Sequence, residues 1–273
     1  MSKQLLFFFI NKPELVEAYR LCLETASTDI CNEKIHVLCI IEESLRESIE
    51  AEVSNIHGMY CLHKETYIIT GSNAFAILEW PFLSEYHKVI YIECTMMFLP
   101  YSVKTLFAAN RIDGVLHLLP EQSESQLDFE LYTPEEKTKI KASKWKHDVI
   151  PCIIGWMQVP KSQKSKTILE QLQQIKNDIS TGVIINPRPY INRRILLDQK
   201  IDYVYSQLVV LQPEELLGNF IKANKGAKDF RFQPLSLYFN NIDKNECLKR
   251  MNKVVEVIRE IKIKQQEEQT KVV

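Results

Sequence analysis

Apolar positions in the first 120 residues fall into short unbroken blocks separated by segments with helical spacing. Leu5–Ile10 is a continuous apolar run of strand length, and Ile35–Ile41 and Lys88–Ile92 are two more. Between them the period changes. Leu15, Tyr19, Cys22 and Leu23 recur every three or four residues behind Asn11 and Pro13, which predicts a helix capped by Asn11 with proline in its first turn. Leu45, Ile49, Val53 and Ile56 repeat the pattern behind Ser44, and Ser72 is placed to cap an apolar-faced segment over Ala74–Leu83. Met59–Leu62 reads as a third strand. Uniformly apolar strands, each reached through a helix, predict a mostly parallel sheet covered by helices on both faces. In such an α/β fold, ligands sit at the carboxyl ends of the strands.

The second half is less regular. Gln122–Glu130 is polar and reads as a loop, and Thr133-Pro134-Glu135-Glu136 carries a capping box that opens a helix to Lys144. Ile150–Val159 is an apolar run containing Gly155, and Ser162–Ile179 is an amphipathic helix. A helix over Arg193–Tyr205 and a short strand over Leu208–Leu211 follow. Asp243 is a candidate cap for a last helix with Leu248, Met251, Val255 and Ile258 on one seam and a polar tail over Lys262–Lys271. That seam is too short for a coiled coil, and a packed surface helix is expected. The organisation read from this is one α/β domain over residues 1–245 and a C-terminal helix with its tail over 246–273.

Composition narrows the chemistry. The 34 Lys+Arg against 35 Asp+Glu leave a formal charge of −1, so no overall field draws nucleic acid or anionic lipid, and no nucleic-acid partner is expected. No run reaches the ~20 apolar residues of a membrane helix. Seven cysteines, several inside apolar runs, suit buried thiols in a reducing cytoplasmic setting. His36 and Cys39 stand at odd spacing on one strand, so they leave opposite faces and do not start a zinc site. Glycine-rich phosphate loops are missing, with only seven glycines in the chain. Lys161, Lys164 and Lys166 read as a solvated face, and Arg188, Arg193 and Arg194 sit in or beside a proline-rich stretch where a guanidinium can clamp a diphosphate.

One constellation carries a resemblance. Lys88-Val89-Ile90-Tyr91-Ile92-Glu93-Cys94-Thr95 is a strand that closes on an acid. It resembles the strand leading into the Asp-x-Asp signature of GT-A glycosyltransferases, the glycogenin-like and nucleotide-diphospho-sugar transferase families. Ile154-Gly155-Trp156-Met157-Gln158-Val159-Pro160, then Leu197-Asp198-Gln199, then Leu208–Pro213 follow in the family's order. The resemblance implies a GT-A-like domain that transfers a sugar from a nucleotide-sugar donor to a glycan or protein acceptor. It implies Phe9, Ile10 and Asn11 near the base, Glu93, Thr95 and Arg194 near the diphosphate, and Asp198 and Gln199 toward the sugar and acceptor. Family members hold Mn²⁺ or Mg²⁺ on the paired aspartates and a late histidine. Here Glu93 is the one carboxylate in that position, and the last histidine of the chain is His147. Transfer without a metal is therefore one route open to this chain. A catalytically silent GT-A-like scaffold that meets a protein partner through the Leu248–Ile258 seam is the other reading.

Overall fold

The computed structural model describes residues 3–52, 66–98, 102–109, 112–120, 133–135, 138, 151–181, 203–205, 210–211, 221–226, 236–238 and 244–271. Its centre is a seven-stranded sheet. Strands β1 (Lys3–Ile10), β2 (His36–Ile41), β3 (Thr66–Thr70), β4 (Tyr86–Ile92), β6 (Leu116–Pro120), β7 (Pro151–Met157) and β8 (Tyr203–Tyr205) lie in the order β3-β2-β1-β4-β7-β6-β8. The pairs β1–β2, β2–β3, β1–β4 and β6–β8 are parallel, whereas β7 runs antiparallel to both of its neighbours. A small second sheet joins β5 (Met96–Phe98), β10 (Ser236–Tyr238) and β9 (Val210–Leu211) in the order β5-β10-β9.

The strands are apolar throughout because both faces are covered. Leu6, Phe8 and Ile10 of β1 point with Cys39, Ile41, Ile90 and Ile92 into one core. That layer also holds α1 (Glu14–Glu33), α2 (Ser102–Ala109) and α4 (Lys244–Lys271). Leu5 and Phe7 point the other way, with Leu38, Ile40, Val89, Tyr91 and Trp156, against the 3₁₀ turn Ala74–Glu79 and α3 (Gln163–Thr181). Alternation along a strand sends successive side chains to opposite layers, so a continuous apolar run satisfies both.

Several local expectations need correction. Asn11 does not cap α1: the N-cap position is Pro13, with no side-chain cap bond. Backbone bonds from Leu15 and Val16 N–H to the carbonyls of Lys12 and Pro13 close that turn instead. The cap of the segment after β3 is Asn73, whose side chain accepts from Phe75 N–H, and the segment is 3₁₀ over Ala74–Glu79. The third strand forms over Thr66–Thr70; Met59–Leu62 lies outside the described residues. Tyr203–Tyr205 is strand, so the helix expected over Arg193–Tyr205 does not extend to Tyr205.

The last helix packs on the body of the fold. Met251, Val254, Val255, Ile258 and Ile261 are buried in the same core as α1. Arg259 clamps Glu24 of α1 with Nε–Oε1 at 2.5 Å and Nη2–Oε2 at 2.8 Å. The seam proposed for a partner is therefore occupied by α1, because those side chains complete the first core rather than face solvent. Among the described residues, no helix is long and apolar enough to cross a membrane.

Candidate functional site

The carboxyl ends of β1, β2, β3 and β4 meet along one edge of the sheet. Parallel pairing sets Phe7 beside Tyr91, so two residues further Glu93 lies level with Phe9. Glu93 leaves β4 in a tight turn closed by Met96 N–H on the Glu93 carbonyl at 3.1 Å. Within that turn Cys94 is 3% exposed and packs in the first core, while Glu93 and Thr95 on either side are half-buried. The thiol donates weakly to the Phe9 carbonyl at 3.9 Å. Residues 93 and 95 thus each keep part of their surface exposed, with the residue between them turned inward.

Cys94 belongs to a buried sulfur-rich group. Cys39 Sγ donates to Tyr19 Oη at 2.8 Å, and Cys22 lies in the same core. Burial raises all three thiols, Cys39 to about 12 and Cys94 well above its ordinary value, with the neighbouring Cys22 and Cys39 adding to the rise at Cys94. Burial favours their neutral form, which suits packing in the core. His36 leaves the other face of β2, with Nδ1 2.7 Å from Tyr86 Oη, so the opposite directions expected of His36 and Cys39 hold.

Of the other expected residues, Phe9 and Asn11 are half-buried at the end of β1. Ile10 is fully buried in the first core, and its carbonyl accepts from Glu42 N–H at 3.3 Å. Arg194, Asp198 and Gln199 lie outside the described residues, as do Arg188 and Arg193. Among the described residues, the turn after β4 does not make a cage for a hard dication. Glu93 offers one carboxylate, Thr95 a neutral hydroxyl, and the Cys94 sulfur faces the core. Among the described residues, no three His, Cys, Asp or Glu side chains gather as ligands.

The same edge holds a group the sequence did not disclose. Glu43 accepts from Arg46 Nε at 2.6 Å and Nη2 at 2.9 Å, and from Thr70 Oγ1 at 2.7 Å. The bonds from Arg46 and then Thr70 lower the Glu43 carboxyl to about 2. These residues stand just past β2 and at the last position of β3, so the network ties the two strand ends together. The Glu43-Arg46 spacing was visible on a helical turn; the place of Thr70 needed the β2–β3 register, in which it stands opposite Ile41. Gly71, the next residue, must be glycine: a Cβ there would strike Ala76 Cβ and lie 2.7 Å from Ile40 Cγ2.

No protein-family model matches the chain, and no curated protein matches it. Solved structures do. The bifunctional glycosyltransferase WbbM superimposes with a TM-score of 0.55 at 9% identity over 92% of this chain, which spans half (50%) of the length of that chain. A glycosyltransferase involved in glycosylation of the major capsid of PBCV-1 superimposes with a TM-score of 0.50 at 7% identity, over 91% of this chain and 98% of that one. The fold is that of GT-A glycosyltransferases: a mostly parallel central sheet between layers of helices, here with the small second sheet beside it.

Proposed function

We propose that this chain binds a nucleotide-linked sugar at the carboxyl ends of β1 and β4 and transfers the sugar to an acceptor hydroxyl. The observation that carries the reading is the turn after β4, where Glu93 and Thr95 stay partly exposed around an inward Cys94, in a fold shared with solved glycosyltransferases. In this arrangement Phe9 and Asn11 flank the base, and Glu93 and Thr95 lie toward the diphosphate. Asp198 and Gln199 are assigned to the sugar and acceptor side. The bond from the anomeric carbon to the diphosphate breaks, the acceptor oxygen bonds to that carbon, and the acceptor proton leaves to solvent. The developing charge on the diphosphate has to be stabilised by fixed positive groups. With one carboxylate at the turn, that task is assigned to cationic side chains, Arg194 first, since guanidinium matches phosphate oxygens bidentately.

Calorimetric titration of the full chain with UDP-, GDP-, CDP- and ADP-linked hexoses, in EDTA and again with Mn²⁺, tests this. One of these donors is expected to bind in EDTA, with affinity changed less than about threefold by Mn²⁺. Glu93→Ala is expected to alter that affinity at least fivefold. Absence of binding by every donor under both conditions overturns the reading and favours a fold kept without its substrate. Binding that appears only with Mn²⁺ overturns the metal-independent part.

A further inference from the structure

Beneath the turn after β4, several elements of the fold meet in one sulfur-rich patch of the first core. Tyr19 and Cys22 come from α1, Cys39 from β2 and Cys94 from the turn itself, and all four are buried. Cys39 Sγ donates to Tyr19 Oη at 2.8 Å, and the Tyr19 ring meets Phe8 of β1 edge-on at 5.1 Å between centroids. Cys94 Sγ lies 3.9 Å from the Phe9 carbonyl, which links the turn to the end of β1. Burial raises the Tyr19 hydroxyl well above its ordinary value, and Cys39, Cys94 and Cys22 add to the rise, as groups packed around one point do.

Buried this far, none of these side chains reaches a ligand at the carboxyl edge. What they can fix is position. Of Glu93, Cys94 and Thr95, only the middle residue is buried. The turn is closed by Met96 N–H on the Glu93 carbonyl. The strand that follows has its own attachment: Met96, Met97 and Phe98 of β5 pack in the first core, and Phe98 N–H donates to Thr25 Oγ1 of α1 at 3.0 Å. Residues 93–95 themselves are therefore pinned to the core through Cys94. The residues assigned to the base, Phe9 and Asn11, end β1, and those assigned to the diphosphate, Glu93 and Thr95, follow β4. The Cys94 side chain stands in the turn of the second pair and beside the backbone of the first.

We propose that Cys94 is a positioning residue, whose buried side chain beside the Phe9 carbonyl fixes where Glu93 and Thr95 stand relative to the end of β1. Its purpose rests on the transfer reading, whereas the geometry it fixes is measurable without a donor. Removing the sulfur deletes the contact with the Phe9 carbonyl and leaves a void into which the turn can move. Because β5 stays docked on α1, the loosening is confined to the turn.

Amide hydrogen exchange and donor calorimetry on the full chain test this with Cys94→Ala. Cys247→Ala is the control, since it removes a buried sulfur from the same core on α4, where Sγ meets Met251. Exchange at Met96, taken relative to Ile90 within β4, is expected to rise at least fivefold in Cys94→Ala and to stay within twofold in Cys247→Ala. A merely structural role moves both amides together, because global unfolding exposes them alike. Affinity for the donor that binds in the titration is expected to change at least threefold in Cys94→Ala and less than twofold in Cys247→Ala. Combined with Glu93→Ala, the Cys94→Ala effect is expected to shrink at least twofold, as it does when one residue acts through another. Should Cys94→Ala fail to fold, Cys94→Ser, which keeps more of the volume, carries the same comparison. The proposal is overturned if Met96 exchange keeps pace with Ile90, if Cys247→Ala reproduces the effect, or if the Cys94 and Glu93 changes combine independently. Donor binding left unchanged by Cys94→Ala overturns the positioning role alone. Absence of donor binding by the unaltered chain overturns the transfer reading, and the role of Cys94 with it.

Discussion

Single polar side chains inside the first core decide how the helices attach to the sheet. Asp29, 4% exposed on α1, accepts from the N–H groups of Val103 at 2.9 Å and Lys104 at 3.2 Å, and so holds the start of α2. Asp29→Ala leaves those amides without their acceptor and is expected to cost about 1–3 kcal/mol in urea unfolding; Asp29→Asn, which keeps an oxygen there, is expected to cost less. Equal losses in the two variants would contradict the assignment. At the site edge, Glu43 titrates near 2 in the folded chain against an ordinary value near 4.5. A depressed carboxylate adds stability that is full above its unfolded value and disappears as pH falls through the folded one. Unfolding midpoints are therefore expected to fall more between pH 4.5 and 2 for the unaltered chain than for Glu43→Gln. Parallel pH profiles would show that the bonds of Glu43 to Arg46 and Thr70 contribute nothing. Alternation made the opposed faces of His36 and Cys39 legible from sequence; the inward turn of Cys94 was not read there, since it follows the end of β4. The buried acid on α1 was not legible, since Asp29 reads as an ordinary polar position until α2 is seen to dock on it.

Elements with a strong period were the readable ones. β1, β2, β4 and α3 appear close to where apolar runs and helical spacing put them. The direction of β7 did not, because an apolar run says that both faces are covered and nothing of which way the chain travels. The 3₁₀ character of Ala74–Glu79 escaped for a related reason: Asn73 caps it after a glycine that only close packing against Ala76 and Ile40 requires. The packed seam on the last helix was expected. Its anchor was not, for Glu24 and Arg259 are 235 positions apart and meet only through tertiary packing. Glu24 also keeps Arg20 Nη1 at 3.5 Å, so Arg259→Ala does not strand the carboxylate completely. A loss of about 1–3 kcal/mol is expected from charge-assisted bonds of this kind, read as a lower urea midpoint. An unchanged midpoint would mean that α4 is held by its apolar seam alone.

Across the whole molecule, the two ends of the central strands are built differently. The parallel order β3-β2-β1-β4 brings four carboxyl ends together where Glu93 emerges, and the antiparallel β7 carries Gln158 to the other end. The first arrangement follows from the doubly covered strands that the apolar runs imply. The second depends on strand direction and on burial, neither of which is written in the local pattern. The Asp198-Gln199 pair and Arg194 lie outside the described residues, so their part in the transfer site rests on the order of motifs in the sequence. The proposed transfer reaction rests above all on a nucleotide seated at the carboxyl ends of β1 and β4. Photolabelling the full chain with the azido-nucleotide analogue of the donor that binds in the titration, followed by peptide mapping, tests this most directly. The expected result is labelling in residues 9–11 or in the turn at residues 93–96, protected by the unlabelled donor. Protectable label confined to residues outside these two segments, or no protectable label at all, would contradict it.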